Sequence, residues 1–263
     1  GHHGLGVNMA TVIGYANQVD NASISGGSWN SLYPLAMLQT RNLWEKARTN
    51  NALASSSVIN LDLGTLQRIG VVALCRHNLQ ETATVRIQAS SSASMTPLLY
   101  DSGDQPTYLN KDYVISFPRV EARYWRVSIS DPSNTDGYIE FGRLFIGWRF
   151  SPQNNIDWGA SLSVDSTTAV VSALAGPEYF DERPNRRVWQ GKWSWLDDYD
   201  AYKVLLEMQR QQDISREVYL IEDDSESVFR AQRSFLGRFR SLSQIEWPYV
   251  SLHSVGVEIS ELL

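Results

Sequence analysis

The sequence contains very little cysteine, histidine and lysine. Among its 263 residues there are one cysteine, four histidines and four lysines. The single cysteine, Cys75, excludes an intramolecular disulfide framework and a thiolate-rich metal site. Two of the four histidines, His2 and His3, lie in a Gly-rich opening, so too few remain to suggest a zinc site or a Ser-His-Asp triad. We therefore predict no metal site and no cofactor.

Several functional signatures are also missing. Phosphate-binding glycine loops and nucleophile elbows are absent, and no pair of carboxylates is singled out by its spacing. We therefore predict no catalytic residues and no enzymatic activity. The net charge of -6 argues against binding to nucleic acid. No apolar run reaches the length of a membrane span. We interpret residues 1–8 as a tag remnant and Met9 as the native start, and we see no signal peptide after it.

Aromatic residues and arginine are abundant instead. The chain has nine Trp, twelve Tyr and eight Phe, and nineteen of its 23 basic residues are Arg. Aromatic side chains suit β-sheets, and Trp and Arg concentrate at protein interfaces. The composition thus favours a β protein that takes part in ordered contacts.

Short strands dominate the first part of the chain. Ile59, Leu61 and Leu63 alternate with Asn60 and Asp62, which is the period of a half-buried strand. Further strand segments are RIGVVALC (68–75), TVRIQAS (84–90), YWRVSIS (124–130) and YIEFGRLFIGW (138–148). Loops rich in Ser, Asp, Pro and Gly separate them, as in a β-sandwich.

The pattern changes near residue 151, where we place a domain boundary. In the second part, RRVWQGKWSW (186–195) reads as a strand, and a helix is predicted over 197–212 with Asp197 or Asp198 as its cap. EVYLIED (217–223) and SVFRAQRSF (227–235) read as a hairpin around Asp223 and Asp224, and SLHSVGVEISEL (251–262) reads as a final strand. The predicted fold is mainly β, with a jelly-roll sandwich at 9–150 and an α+β domain with one main helix at 151–263.

The first part resembles the galactose-binding-like jelly rolls of discoidin domains and carbohydrate-binding modules. The residues that carry this resemblance are Trp44, SVINLDLG (57–64), the strand at 69–74, TVRIQAS (84–90), ARYWRV (122–127) and GYIEFGRLFIG (137–147). Their order matches the family over about half of the chain. The resemblance implies a sandwich that presents loops at its strand ends, and a host-surface carbohydrate as its partner.

The second part resembles the distal tail or tail-tip ring components of long-tailed bacteriophages. The resemblance lies in the order of a Trp-rich strand, a helix, a hairpin and a last strand that ends in ISEL. It implies a structural virion protein, made in the host cytoplasm, that forms a trimeric or hexameric ring with itself. That ring would link the tail tube to the tip or receptor-binding apparatus through other tail proteins. The alternative is a carbohydrate-binding module that mediates adsorption to host-surface glycans.

Four residues are candidates for ligand binding in the first part. Arg76 and His77 follow a strand directly, where they could bond sugar hydroxyls, although the same residues also commonly satisfy loop backbone groups. Trp29 and Tyr33 are candidate aromatic platforms for a sugar ring. Trp44 is a third candidate platform, but its position in the family favours a place in the core.

Five residues of the second part are candidates for a subunit interface. Trp189, Trp193 and Trp195 alternate along one strand, and Arg186 and Arg187 precede them. The three Trp rings either form the core of this part or lie partly at an interface, where Trp and Arg are enriched. The acidic residues Glu222, Asp223, Asp224 and Glu226 lack the spacing of a calcium loop and predict a solvated hairpin tip.

Overall fold

The computed structural model describes residues 10–107, 112–172, 176–225 and 229–263. It is mainly β, with one principal helical segment, which confirms the predicted fold class. The leader with His2, His3 and Met9, and also Glu226, lie outside the described residues. No helix in the described part is both long and apolar enough to cross a membrane.

Ten strands precede residue 151. They are β1 (Val12–Tyr15), β2 (Ser23–Ser25), β3 (Ala47–Arg48), β4 (Val58–Cys75), β5 (Thr84–Ser90), β6 (Leu98–Asp101), β7 (Gln105–Pro106), β8 (Asp112–Ser130), β9 (Glu140–Phe141) and β10 (Arg143–Phe150). Short 3₁₀ helices occupy Val19–Asn21, Leu35–Gln39 and Ala54–Ser57.

Eight strands and the helical segment follow. The strands are β11 (Ser161–Asp165), β12 (Ala169–Ser172), β13 (Glu178–Asp181), β14 (Arg186–Leu196), β15 (Val218–Ile221), β16 (Ser234–Phe239), β17 (Glu246–Tyr249) and β18 (Leu252–Glu261). The segment runs as a π-helix over Tyr199–Leu206 and continues as α1, Glu207–Gln212. The predicted helix, hairpin and last strand are therefore present. The hairpin partner is β16, which starts later than the sequence pattern suggested.

Two long strands, β4 and β8, organise the first half. The sequence predicts two separate strands within β4, but the structure joins them into 18 residues. The two segments join at Gly64, whose φ of +75° is readily adopted by glycine, and the Gly64 amide donates to Asp62 Oδ1 over 2.8 Å. The pairing of β4 with β8 shifts register here, between Asp62 and Gln67, and β4 continues beyond it. Its apolar second half is buried on both faces, as predicted, and Cys75 is buried at its end.

A single hydrogen-bonded sheet runs across residue 151. β1 pairs with β10 on one side and with β15 on the other. From there the sheet continues through β16, β18 and β14 to β11. The division into domains at 9–150 and 151–263 stays a prediction, and these pairings show how closely the two halves are joined.

β12 and β13 form a separate two-stranded sheet, which we call the arm together with the described residues that flank it (residues 166–172 and 176–185). The arm prolongs the β11–β14 hairpin: Thr167 Oγ1 donates to the Pro184 carbonyl over 2.9 Å, and the Arg183 amide donates to Thr168 Oγ1 over 3.3 Å. Neither strand of the arm pairs with any other strand in the described chain. The arm therefore extends beyond the main sheet.

Candidate functional site

A cleft of about 840 Å³ lies where the two halves meet. The first half contributes Leu43, Trp44, Lys46, Cys75, Arg76, His77 and Asp112, and the second half contributes Pro184, Asn185, Arg187, Ala231, Gln232, Leu236, Glu261, Leu262 and Leu263. Neither half could form this cleft alone. We refer to it below as the cleft.

Arg76 and Trp44 form the aromatic and cationic part of the cleft. Arg76 follows β4 with a φ of +56°, and its amide donates to Asp112 Oδ1 over 2.9 Å. The Arg76 guanidinium carbon lies 4.5 Å from the centre of the Trp44 ring, a cation–π contact. Within the described chain, the Arg76 side chain has no carboxylate partner. It therefore presents a positive charge to a ligand.

The position of Trp44 differs from the sequence expectation. The family position favoured a core residue, but Trp44 is 68% exposed. It lies in a loop just before the short strand β3, where the nearby Leu43 is buried instead. Trp44 is therefore available as a platform.

His77 lines the cleft, but both of its ring nitrogens are occupied or buried. Its Nδ1 accepts from the Leu79 amide over 3.2 Å, which assigns the proton of the neutral ring to Nε2. The Nε2 atom is buried without a partner in the described structure. Burial lowers the pKa of His77 to about 4, so the ring is neutral at pH 7. The expectation that His77 satisfies a loop backbone group therefore holds for Nδ1, whereas Nε2 has no partner in the described structure.

The opposite wall of the cleft is held by Arg187. Its Nη2 lies 2.6 Å from Glu261 Oε1, and its Nη1 donates to the carbonyls of Ala231, Gln232 and Ser234. Its hydrogen-bonding capacity is therefore used within the chain. Arg187 thus joins β18 to the segment that leads into β16, and its predicted role at a subunit interface stays a prediction.

Asp112 is the other acidic residue of the cleft. Burial raises its pKa, although the Arg76 amide acts in the opposite direction. Tyr219 Oη lies 3.4 Å from Asp112 Oδ2. The carboxyl is therefore engaged from both halves of the chain.

Trp29 and Tyr33 do not line the cleft. The Trp29 indole donates to the Gly26 carbonyl over 2.9 Å, and its ring packs edge-on against Phe141. Tyr33 lies against the Arg48 guanidinium at 4.5 Å. The four predicted ligand residues are thus separated: Arg76 and His77 share a site, whereas Trp29 and Tyr33 are held by contacts elsewhere.

The three tryptophans of β14 do not share one environment. Trp189 and Trp193 are fully buried, which makes them core residues and corrects their assignment to an interface. Trp195 is 49% exposed and stacks on Tyr249 with ring centres 5.9 Å apart. The pairing of β14 with β18 shifts register between Trp193 and Leu196, so Leu196 turns inward in place of Trp195. Arg186 is partly buried at the start of the same strand.

The exposed apolar surface of the second half lies elsewhere. On the arm, Val170, Val171, Tyr179 and Phe180 are between 53% and 64% exposed. Trp158 and Val250 are almost completely exposed in loops. Sequence reasoning missed these residues, since a strand with exposed apolar side chains has the same pattern as a buried one.

The acidic hairpin differs from the predicted solvated tip. Arg233 pairs with both Glu222 and Asp223, at 3.0 and 3.2 Å, and Asp224 pairs with Arg149 at 3.0 Å. Asp223 is buried. Among the described residues, no cluster of His, Cys, Asp and Glu is arranged to hold a metal ion.

No protein-family model and no curated protein matches the sequence. Among solved structures, the family 32 CBM from C. perfringens NanJ in complex with galactose is 13% identical with a TM-score of 0.41, over 52% of this chain and 99% of that one. The lectin domain of lectinolysin complexed with Lewis B antigen is 14% identical with a TM-score of 0.42, over 51% and 96%. SpGH29 is 14% identical with a TM-score of 0.40, and the match spans 51% of this chain but 28% of that one.

Proposed function

We propose that this protein is a structural subunit that assembles with copies of itself, as a ring in the distal tail of a long-tailed bacteriophage. The main support for self-assembly is the arm. Its two strands expose apolar side chains that nothing in the described chain covers. A protruding apolar surface of this kind marks a contact with another protein.

The low stability expected of a two-stranded hairpin by itself supports this proposal. An isolated two-stranded hairpin is marginally stable in water. In the arm, Val170 pairs with Phe180 and Val171 pairs with Tyr179, so both faces carry apolar residues. Packing against a neighbouring subunit would remove these side chains from water and stabilise the hairpin.

The location in a phage tail is the finer part of the proposal. It rests on the order of elements in the second half, where the Trp-bearing β14, the helical segment, the β15–β16 hairpin and β18 follow one another. In tail proteins that the sequence resembles, such subunits link the tail tube to the tip. The partners would then be further tail proteins, and the location the virion.

A second candidate function is favoured by the cleft. Trp44 offers an exposed ring, and the Arg76 guanidinium offers hydrogen-bond donors beside it. Aromatic platforms flanked by a few oriented polar groups are suited to sugar rings. The protein would then be a carbohydrate-binding module that contributes to adsorption on host-surface glycans.

Light scattering over a concentration series tests the first proposal. We expect the wild type to form a trimer or hexamer, and a variant with Val171, Tyr179 and Phe180 all changed to Ser to stay monomeric. The matched control is Leu66→Ser, which alters an exposed leucine far along the chain from the arm. A wild type that remains monomeric at every concentration would overturn the assembly.

The tail location and the glycan candidate need their own measurements. Antibodies against the protein should label the distal end of the tail in electron micrographs of intact virions, and labelling elsewhere would contradict the ring.

A glycan array read with wild type and Trp44→Ala tests the second candidate. Binding that Trp44→Ala abolishes would establish it, and an array without signal would remove it.

A further inference from the structure

We infer that the arm of one subunit binds in the cleft of the next, with Glu178 paired to Arg76 and an adjacent aromatic ring packed on Trp44. This inference rests on the proposed self-assembly and specifies its contact. The occupant of the cleft is a second copy of this chain.

The arm carries a net negative charge. Asp181 is neutralised by Arg183, whose Nη2 lies 2.5 Å away. Glu178 and Glu182 are exposed and have no cationic partner in the described chain. Glu178 shares its face of the strand with Phe180, which is 60% exposed and pairs across the hairpin with Val170. The outer part of the arm thus offers a carboxylate next to apolar and aromatic side chains.

The cleft offers the complementary groups. Arg187 and Glu261 neutralise each other, and the Lys46 ammonium lies 2.7 Å from Glu140. The Arg76 guanidinium is therefore the cation of the cleft that forms no salt bridge among the described residues, although its charge lowers the pKa of the buried Asp112 carboxyl, which accepts from the Arg76 amide. It lies over the exposed Trp44 ring. A carboxylate beside an aromatic side chain matches this pair in both charge and shape.

An arm cannot reach its own cleft with these residues. Pro184 and Asn185, at the base of the arm, line the cleft of the same chain. Glu178 lies six positions before Pro184, and an extended strand carries it about 20 Å away from the base. The contact must therefore be made with another copy. Since it joins two different surfaces, it is heterologous and closes into a ring when the rotation between copies allows.

Charge reversal in the full-length protein tests the contact. We expect Arg76→Glu and Glu178→Arg each to weaken self-association by roughly 30-fold or more, because each places like charges together in a desolvated contact. The double variant Arg76→Glu/Glu178→Arg should recover assembly. Mixing the two single variants should also recover it in a hexamer, where the variants can alternate and every arm then meets a cleft of opposite charge, whereas in a trimer at least one contact still joins like charges. Sedimentation velocity measures the three cases.

Matched controls separate the contact from general effects of charge. Arg216→Glu and Glu81→Arg make the same changes at exposed positions outside the arm and the cleft, and should assemble as the wild type does. Circular dichroism spectra should be unchanged in all variants.

Two single variants that assemble normally would overturn the arm–cleft contact while leaving self-assembly intact. A monomeric wild type would instead remove the proposed assembly. Glycan binding lost in Arg76→Glu without a change in assembly would assign the cleft to a saccharide and overturn the inference.

Discussion

Arg143 on β10 and Glu217, just before β15, form a buried ion pair that joins the two halves of the chain. Arg143 Nε lies 3.0 Å from Glu217 Oε1, and Nη2 of the same guanidinium lies 2.5 Å from that oxygen. Arg143 also donates to the Leu38 carbonyl, and Asn17 donates to Glu217. Because the guanidinium has no exposed surface, the pair depends on these partners rather than on water.

Breaking this pair should be costly. We expect Glu217→Gln to lower the free energy of unfolding by about 3 kcal/mol, since it removes one of the two carboxylates that neutralise the buried Arg143 and leaves Asp20, whose Oδ1 lies 2.7 Å from Arg143 Nη2. The double variant Arg143→Met/Glu217→Leu should lose less, because the buried guanidinium and the buried carboxylate are both removed and the remaining charge, on Asp20, is partly exposed. Urea denaturation measures both. The exposed pair Arg68–Glu121 is the control, and its removal should cost no more than about 1 kcal/mol. Equal losses for the buried and exposed pairs would contradict this prediction.

The tryptophans of β14 should respond differently to truncation. Trp193→Ala removes a fully buried ring and should cost about 3–5 kcal/mol of unfolding free energy. Trp195→Ala removes a half-exposed ring two positions later and should cost less than about 2 kcal/mol, since much of that ring remains in contact with water in the folded protein. Thermal unfolding of the two variants is a direct comparison. A larger loss for Trp195→Ala would mean that the register shift in β14 is not where the structure has it.

The pH dependence of stability should carry a contribution from His77. Its pKa is about 4 in the folded protein, below the ordinary value of about 6.5. Between these values the unfolded chain binds the proton and the folded chain does not, so the free energy of unfolding increases with pH. This contribution is complete above pH 6.5 or so, is lost as the pH falls towards 4, and amounts to at most about 3 kcal/mol.

Guanidinium unfolding at several pH values checks the His77 contribution. The slope of unfolding free energy against pH between about 4 and 6.5 should be smaller in His77→Gln than in the wild type. The matched control is His253→Gln, which should keep the contribution of His77. Identical slopes for wild type and His77→Gln would show that His77 titrates alike in both states.

The Cys75 thiol should be unreactive in the native protein. It is buried at the end of β4, and burial raises its pKa, so little thiolate is present and reagents cannot reach it. We expect a thiol reagent such as DTNB to modify it only after denaturation. Rapid modification under native conditions would show that the cleft beside Cys75 opens in solution.

Local patterns in the sequence predicted much of the fold. The alternation of Ile59, Leu61 and Leu63 identifies a strand because side chains of a strand alternate between faces, whatever the strand pairs with. The helix was predictable for a similar local reason. The Asp197 carboxylate accepts from the Asp200 amide over 2.7 Å at the start of the helix, and the apolar side chains of the helix recur every three to four residues. Asp198, the other candidate cap, is bonded instead to His253.

The candidate site is formed by residues that lie far apart in the sequence, so local patterns could not predict the cleft as a whole. Arg76 and His77 were identifiable because they follow a strand, but the cleft beside them is completed by Arg187 and Glu261 from the second half. Trp44 is the clearest example, since its position in the family that the sequence resembles favoured the core, whereas its loop leaves it exposed.

The sequence by itself determined the elements, because strand and helix periodicities are properties of neighbouring residues. Only the tertiary structure decided which side chains face solvent. A register shift in β14 turned Trp195 outward, the pairing of β1 with both β10 and β15 joined the halves, and the absence of a covering strand in the described chain left the arm exposed. Burial is a relation between segments far apart in the chain, and no local pattern encodes the partner that covers a surface.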